Sequence, residues 1–285
     1  MTRQRGFTLV ELIVVIVLMG IIAAVAVQFM VAPTVAYLAV NRRAQISDTA
    51  DVAMRRISRE LRMALPNSVR IGAGSGANAA SRYIEFVPTS NGSRYRAESG
   101  GDILDFTLAD TSFDYLGDAL AGQTGSVVVF NTGQRSTAGC AASPGGADVY
   151  EGCNRSAITS ADATKIGISL RQFPFDSPGR RFHVVPATGP VTLACENPGV
   201  INGNGSGTLR LYTNYAVGAG DWGTGAPSAA PAGVGNVLAD NVKACAMVYV
   251  SGVTAVNGLV TLRFSITRGN ETITLHHQVH VDNVP

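Results

Sequence analysis

An uninterrupted apolar run near the N-terminus constrains this chain more than any other feature. Residues 12–32 contain a single polar side chain, and no charged residue lies between Glu11 and Arg42. As a helix, a run of this length crosses a hydrocarbon core of about 30 Å. Arg3 and Arg5 favour a cytoplasmic N-terminus, although Arg42 on the other side leaves orientation undecided by charge alone. The sequence therefore predicts one membrane-spanning helix.

Three kinds of segment fit such a run. A secretory signal peptide would be cut after Ala26, which ends a plausible small-residue cleavage site. A plain signal anchor would stay uncut. Neither accounts for Glu11, because an ionisable group at the membrane-entry end of an apolar run is costly and usually functional. The third possibility is a family signal that includes this carboxylate.

The start of the chain resembles the type IV prepilin signal: Gly6 is followed by Phe7 and, four residues later, by Glu11, in register with the apolar helix. The resemblance implies that a prepilin peptidase cuts between Gly6 and Phe7 and methylates the amine of Phe7. Glu11, then the fifth residue of the mature chain, would act in assembly. The implied partners are this peptidase, other minor and major pilins, and an inner-membrane assembly platform.

One proline departs from the pattern of major pilins, which usually carry a helix-kinking proline about two-thirds along the apolar helix. Here the nearest proline is Pro33, at the membrane-exit end of the run. A proline inside a helix removes one backbone hydrogen bond and bends the helix. The later position fits a minor subunit better than a major one.

The helix is predicted to continue beyond the membrane as far as Pro66. Small and apolar residues recur every three or four positions, which is typical of one buried helix face: Ile46, Ala50, Ala53, Ile57, Leu61 and Leu65. Arginines cover the other faces, and we interpret them as a solvated surface, with a subunit-contact strip as the alternative. The predicted division is a leader over residues 1–6, a membrane or filament-core helix over 7–33, an amphipathic helix over 34–66 and a periplasmic head over 67–285.

The head is predicted to be β-rich, so the fold class is α+β, pilin-like. Short apolar segments separated by glycine-rich loops are typical of strands: Tyr83–Val87, Ile103–Phe106, Val127–Phe130, Ile166–Leu170, Leu209–Tyr212 and Ala244–Val250. Turns at Asn257-Gly258 and Arg268-Gly269-Asn270 predict hairpins near the C-terminus. We expect an antiparallel meander packed on the helix, and a surface loop over Gly218–Gly235.

Four cysteines lie in the predicted head, an even number that suggests disulfides in an oxidising compartment. They permit three pairings, and four free thiols are the alternative. We favour Cys140–Cys153, which closes a short loop, and Cys195–Cys245, which ties two apolar segments.

No catalytic, metal or cofactor site is predicted. His276, His277 and His280 invite a metal interpretation, but on a strand the outer two would lie about 13 Å apart and His277 would point the opposite way. Lys and Arg total 22 against 20 Asp and Glu, without a basic patch, so nucleic acid is not an expected partner. The sequence indicates a protein that is not an enzyme.

Several segments narrow the resemblance to minor pilins of the MshO type, from mannose-sensitive haemagglutinin (MSHA) pili: residues 44–70, 179–182, Cys195, 242–245 and 278–281. J-type minor pseudopilins of type II secretion share the arginine-rich helix end and the β-rich head, and the N-terminal motifs do not separate the two. The two late cysteines favour MshO. A pilus-tip adhesin or DNA-binding module is a further alternative, with Arg94, Tyr95 and Arg96 as its one hint.

Overall fold

The computed structural model describes residues 6–72, 81–136, 139–140, 145–215, 222–223, 225, 227, 229–252 and 257–285. The chain divides into two compact units, Met1–Asp48 and Thr49–Pro285. One long N-terminal helix is followed by an antiparallel β-rich head, so the α+β prediction is confirmed.

The helix, α1, spans Leu9–Arg62 and includes Pro33. Its 54 residues correspond to about 81 Å at 1.5 Å per residue. It ends before the predicted limit at Pro66, because the chain joins the β structure first. Ala64 forms a β-bridge with Pro88, and the Leu65 N–H donates to the Val87 carbonyl at 2.7 Å.

The part of α1 within the second unit has the predicted buried face. Ala50, Ala53, Ile57 and Leu61 are all buried, as is Leu65 just after the helix. The first member of the predicted stripe, Ile46, belongs to the N-terminal unit.

Fifteen strands occur in the described part of the head: β1 Arg70–Ile71, β2 Tyr83–Phe86, β3 Asn91–Tyr95, β4 Asp110–Leu116, β5 Ser126–Val129, β6 Arg155–Ala161, β7 Lys165–Arg171, β8 Arg181–Val185, β9 Val191–Glu196, β10 Val200–Ile201, β11 Asn204–Gly205, β12 Gly207–Tyr212, β13 Asn236–Val250, β14 Asn257–Arg268 and β15 Glu271–Asp282. Five predicted strands correspond to β2, β5, β7, β12 and the C-terminal half of β13.

A seven-stranded antiparallel sheet has the order β1-β2-β9-β12-β13-β14-β15. Its last four strands form the predicted meander. Val260, Leu262, Phe264 and Ile266 of β14 are buried, which is the alternation expected of a sheet with one covered face.

The prediction of a single meander was wrong for the rest of the head. The segment between β2 and β9 forms a closed barrel with the order β3-β4-β7-β6-β5-β8. Aromatic and branched residues fill its interior, with Phe113 and Phe182 in an edge-to-face contact at 5.2 Å between ring centroids. The apolar run of β5 is continuous because both faces of this strand are buried. Val127 and Val129 face the barrel core, whereas Val128 packs with Leu65 in a separate cluster.

Two local predictions were wrong. Ile103–Phe106 is not a strand, because Asp105 closes a local turn with its carboxylate on the N–H groups of Thr107 and Leu108. Asn257 and Gly258 are not a turn, since they pair with Asp282 and Val281 at the start of β14.

The glycine at position 258 instead leaves room for the Tyr249 ring, because a Cβ atom there would lie 2.7 Å from that ring.

The other predicted hairpin is confirmed. Gly269 and Asn270 connect β14 to β15 with φ values of 56° and 65°, as a tight two-residue turn requires. The predicted loop over Gly218–Gly235 lies partly outside the described residues. Of its described part, Val234 is exposed and the Trp222 N–H donates to the Tyr150 carbonyl at 2.7 Å.

Candidate processing and assembly segment at the N-terminus

Thr8 caps the start of α1. Its side-chain Oγ1 accepts a hydrogen bond from the Glu11 N–H at 3.3 Å, and its carbonyl accepts one from the Leu12 N–H at 3.1 Å. A threonine followed three residues later by glutamate is the sequence signature of a capping box. This role of Thr8 was not predicted from the sequence, although the Thr-x-x-Glu spacing carried the signal.

Glu11 lies in the first turn of α1 with its side chain exposed. The positive end of the helix dipole favours a carboxylate at this position. The residue predicted to act in assembly is therefore also placed where it favours the beginning of the helix.

The predicted cleavage site precedes the helix. Gly6 and Phe7 are not helical, and Phe7 is 82% exposed. A peptidase needs an accessible peptide outside regular secondary structure, and the Gly6–Phe7 bond has both properties. The remainder of the predicted leader, residues 1–5, lies outside the described residues.

The first half of α1 is apolar all round. Every large apolar side chain from Leu9 to Val31 is exposed within this chain, most of them by more than half. A soluble monomer rarely leaves a continuous apolar surface of this size uncovered. By length and composition α1 is a candidate membrane span, and a bundle of similar helices would cover the same surface.

Pro33 interrupts the backbone bonding of this helix, because it has no N–H to donate. The hydroxyl of the next residue, Thr34, donates to the Met30 carbonyl at 2.6 Å. α1 continues through both residues.

The structure joins the cysteines in the favoured pairs. Cys140 and Cys153 have Cα atoms 4.9 Å apart, and Cys195 and Cys245 have theirs 6.4 Å apart. The second bond connects β9 to β13, which are not neighbours in the sheet. It is possible because β12 pairs with β13 only as far as Val242, so Cys245 lies beyond the end of the intervening strand.

Cys140, Glu151 and Cys153 form the one cluster of metal-type side chains within the described residues. Both sulfurs are bonded to each other in the disulfide, so only the Glu151 carboxylate of this cluster could bind a metal ion. The three histidines lie on β15, as the strand argument assumed. His276 and His280 are exposed, and His277 is half-buried on the opposite face.

The segment suggested for an adhesin or DNA-binding surface is not an aromatic patch. Tyr95 is buried, and its hydroxyl donates to the Ser177 carbonyl at 3.2 Å. Arg96 lies 3.7 Å from the Asp114 carboxylate. Arg94 is exposed.

A buried carboxylate in the sheet was not anticipated from the sequence. Glu85 of β2 accepts hydrogen bonds from Arg70 Nε at 2.7 Å, the Tyr215 hydroxyl at 2.8 Å and the Thr192 hydroxyl at 3.1 Å. Burial, followed by the nearby Glu85 charge, raises the pKa of Tyr215 far above its ordinary value. The tyrosine therefore stays a hydrogen-bond donor, and the cluster is a structural ion pair.

Comparison with known proteins identifies the N-terminal segment. Residues 1–27 match the family model described as the prokaryotic N-terminal methylation motif. A fimbrial protein of Neisseria meningitidis serogroup A is 33% identical over 97 residues, which cover 32% of this chain and 53% of that protein. The chain thus spans about half the length of this curated relative, and no solved structure matches. Together with the helix-plus-sheet fold, these similarities support a type IV pilin-like protein with a prepilin-type N-terminus.

Proposed function

We propose that the chain is a minor pilin that acts in the assembly of a type IV pilus of the MSHA kind. The observation that carries this proposal is the match of residues 1–27 to the methylation motif, which includes the start of an apolar helix whose large apolar side chains are exposed from Leu9 to Val31. Prepilin peptidase cuts between Gly6 and Phe7 and methylates the new N-terminal amine. The subunit is structural and needs neither a catalytic group nor a cofactor.

The proposed topology follows from the apolar helix and the cysteines. Residues 7–33 cross the inner membrane once, residues 34–66 continue as the amphipathic helix, and residues 67–285 lie in the periplasm. Two disulfides in the head fit an oxidising compartment of this kind. After assembly the subunit lies in the pilus, at or near its tip.

The helix supplies the mechanism of assembly. The apolar surface between Leu9 and Val31 is covered by lipid before assembly and by neighbouring pilin helices afterwards, so little apolar area is exposed to water during transfer. Glu11 becomes buried in the filament, and a buried charge needs a partner. The methylated amine of Phe7, on the same subunit or its neighbour, is the cation available on the apolar segment.

The alternative assignment is a J-type minor pseudopilin of type II secretion. Cys195 and Cys245 favour the MSHA assignment, because both are part of the segments that resemble MshO. Gene deletion with complementation tests the choice. We expect the deletion strain to lose surface pili, counted by electron microscopy, and to keep normal export of secretion substrates. Normal piliation with failed export would assign the protein to secretion instead.

A further inference from the structure

The seven-stranded sheet ends in an open edge. Among the described residues, β15 pairs only with β14, on one side, through twelve consecutive residue pairs without a bulge. Its central residues 272–281 include no proline, aspartate, glutamate, lysine or arginine. Natural sheets usually protect long edges with charges, prolines or bulges, because an open edge is a template for pairing with another chain. β15 lacks these protections.

The backbone groups on this edge can be assigned from the turn. In a hairpin with a two-residue turn, the two residues beside the turn exchange both of their backbone hydrogen bonds. Here these residues are Arg268 and Glu271. Along the ladder, hydrogen-bonded pairs then alternate with pairs that are not hydrogen-bonded. The even-numbered residues therefore point their N–H and C=O groups away from β14: Thr272, Thr274, His276, Gln278 and His280. Their side chains are exposed, and no other described backbone group bonds to them.

A cationic groove lies beside this edge. It has a volume of about 490 Å³ and is lined by Arg55, Ser58, Arg59, Arg62, Met63 and His277. The three arginines have spacings of four and three residues, so they form one stripe along α1. His277 belongs to the inward-facing set of β15. The groove therefore joins the last turns of the helix to the open strand.

The described residues balance the positive charge of the groove only in part. Arg55 pairs with Asp51, but no carboxylate of the described residues pairs with Arg59 or Arg62. The Nε2 atom of His277 is buried without a hydrogen-bond partner among those residues. Buried polar atoms are nearly always bonded, so this atom and the two arginines together favour an external acidic group.

We propose that the β15 edge and this groove form one docking surface for an extended acidic segment of a partner protein. The segment adds to β15 as an eighth strand, and its main chain bonds to the even-numbered residues. Alternate side chains of an added strand repeat about every 6.7 Å. The arginines rise by about 6 Å from Arg55 to Arg59 and by about 4.5 Å from Arg59 to Arg62, a difference that long, flexible side chains can bridge. Aspartates or glutamates at alternate positions can therefore reach Arg59 and Arg62. The inference goes beyond the proposed function, because such a partner could serve either a pilus or a secretion assembly.

Hydrogen exchange on the full chain in non-ionic detergent micelles tests the surface directly. The probe is a synthetic peptide of about nine residues, the upper range of natural strands, with glutamate alternating with threonine or valine and both ends blocked. We expect it to slow amide exchange at Thr274, His276 and Gln278. The same peptide with lysine in place of glutamate is expected to bind about tenfold or more weakly. Equal binding of the two peptides, or unchanged edge amides, would overturn the proposal.

Two matched pairs of variants separate the edge from the groove. The Gln278 N–H faces the open side, so Gln278→Pro removes an edge donor without breaking a bond to β14, whereas Gln278→Ala keeps the donor. Arg59→Glu reverses a groove charge, whereas Arg56→Glu reverses an exposed charge outside the groove lining. We expect a loss of about tenfold or more in affinity for the first member of each pair and little change for the second. Equal losses within either pair would contradict the assigned contacts, provided that all four variants keep the wild-type melting temperature.

Two other occupants would give different results. If a second copy of this chain covers the edge, the same amides will be protected without peptide as protein concentration rises. If anionic lipid covers the groove, phosphatidylglycerol vesicles will protect the groove and the glutamate peptide will not. Either outcome would overturn the proposal, and neither would affect N-terminal processing, so failure here is distinguishable from failure of the proposed function.

Discussion

The Oγ1 atom of Thr8 lies 3.3 Å from the backbone nitrogen of Glu11 and accepts its hydrogen bond. This contact places Glu11 at the third position of the helix, where it has two possible roles. Its side chain can support the cap, and its charge can pair with the amine of Phe7 during assembly. The two roles can be separated, because glutamine also fits a capping box but carries no charge.

Substitution of Glu11 distinguishes the roles. We expect Glu11→Ala and Glu11→Gln to be processed, inserted and folded normally but to impair pilus assembly, because both remove the carboxylate. In the proposed tip position the defect is expected to be partial, since a subunit at the very tip has no neighbour above it. Pili sheared from the cells would be quantified beside the protease resistance of the head.

Full assembly with Glu11→Gln but not with Glu11→Ala would assign Glu11 to capping. Full piliation of both variants would contradict the docking role. A protease-sensitive head would show that Glu11 acts through folding.

The two disulfides should contribute unequally to stability. In the chain-entropy model, the 50-residue separation of Cys195 and Cys245 corresponds to about 4 kcal/mol, and the 13-residue separation of Cys140 and Cys153 to about 3 kcal/mol. Paired cysteine-to-serine variants, unfolded with urea, would measure both effects. Non-reducing peptide mapping provides the check on connectivity, and a Cys140–Cys195 or Cys140–Cys245 peptide would refute the pairing.

The buried Arg70–Glu85 pair should matter far more than an exposed one. Glu85→Ala leaves Arg70 without its carboxylate in a mostly buried site, which is expected to cost about 3 kcal/mol or more. Asp51→Ala breaks the exposed pair with Arg55 and is expected to cost less than about 1 kcal/mol. Urea unfolding of both variants measures the difference, and equal losses would mean that the Glu85 cluster contributes no special stability.

His183 should make the head less stable in mild acid. Burial, and then the Arg181 charge, lower the pKa of His183 below its ordinary value. The unfolded chain therefore binds a proton more readily than the folded one, so stability falls as pH drops below about 6.5 toward the lower folded pKa.

Thermal unfolding at several pH values would show this, with a smaller acid-induced decrease for His183→Gln than for the wild type. The exposed His280→Gln variant serves as the control and should follow the wild type. An unchanged pH dependence in His183→Gln would exclude this histidine as the source.

The parts of the fold predicted from sequence are those specified by local patterns. The alternation from Val260 to Ile266 identified a strand with one buried face, and Gly269-Asn270 identified its turn because both residues tolerate positive φ. Asn257-Gly258 carries an equally strong turn signal. It was overridden by the long ladder between β14 and β15, which extends through both residues.

The barrel could not be anticipated in the same way. β3 and β6 are largely polar, with Asn91–Tyr95 and Arg155–Ala161 lacking an apolar alternation. They form strands because they pair with strands beside them in space, some of them distant in sequence, and so complete the closed barrel. Ile103–Phe106 shows the reverse case, in which apolar residues are present but no neighbouring strand pairs with them.

The same distinction between local patterns and contacts distant in sequence applies to the candidate functional residues. Gly6, Phe7 and Glu11 were identified by their spacing relative to the apolar helix, and the capping contact of Thr8 is equally local. The groove formed by Arg59, Arg62 and His277 depends on bringing the end of α1 to the last strand of the sheet, which no local pattern specifies.

Prepilin-type processing is the central claim, and the intact mass of the protein purified from membranes tests it most directly. Mass spectrometry should show loss of residues 1–6 and the addition of one methyl group, with Phe7 as the N-terminal residue. A Gly6→Val variant should retain the leader, because cleavage depends on the glycine. A mature chain that begins at Val27 would contradict the account, since a conventional signal peptidase would then have removed the helix on which membrane anchoring and assembly depend.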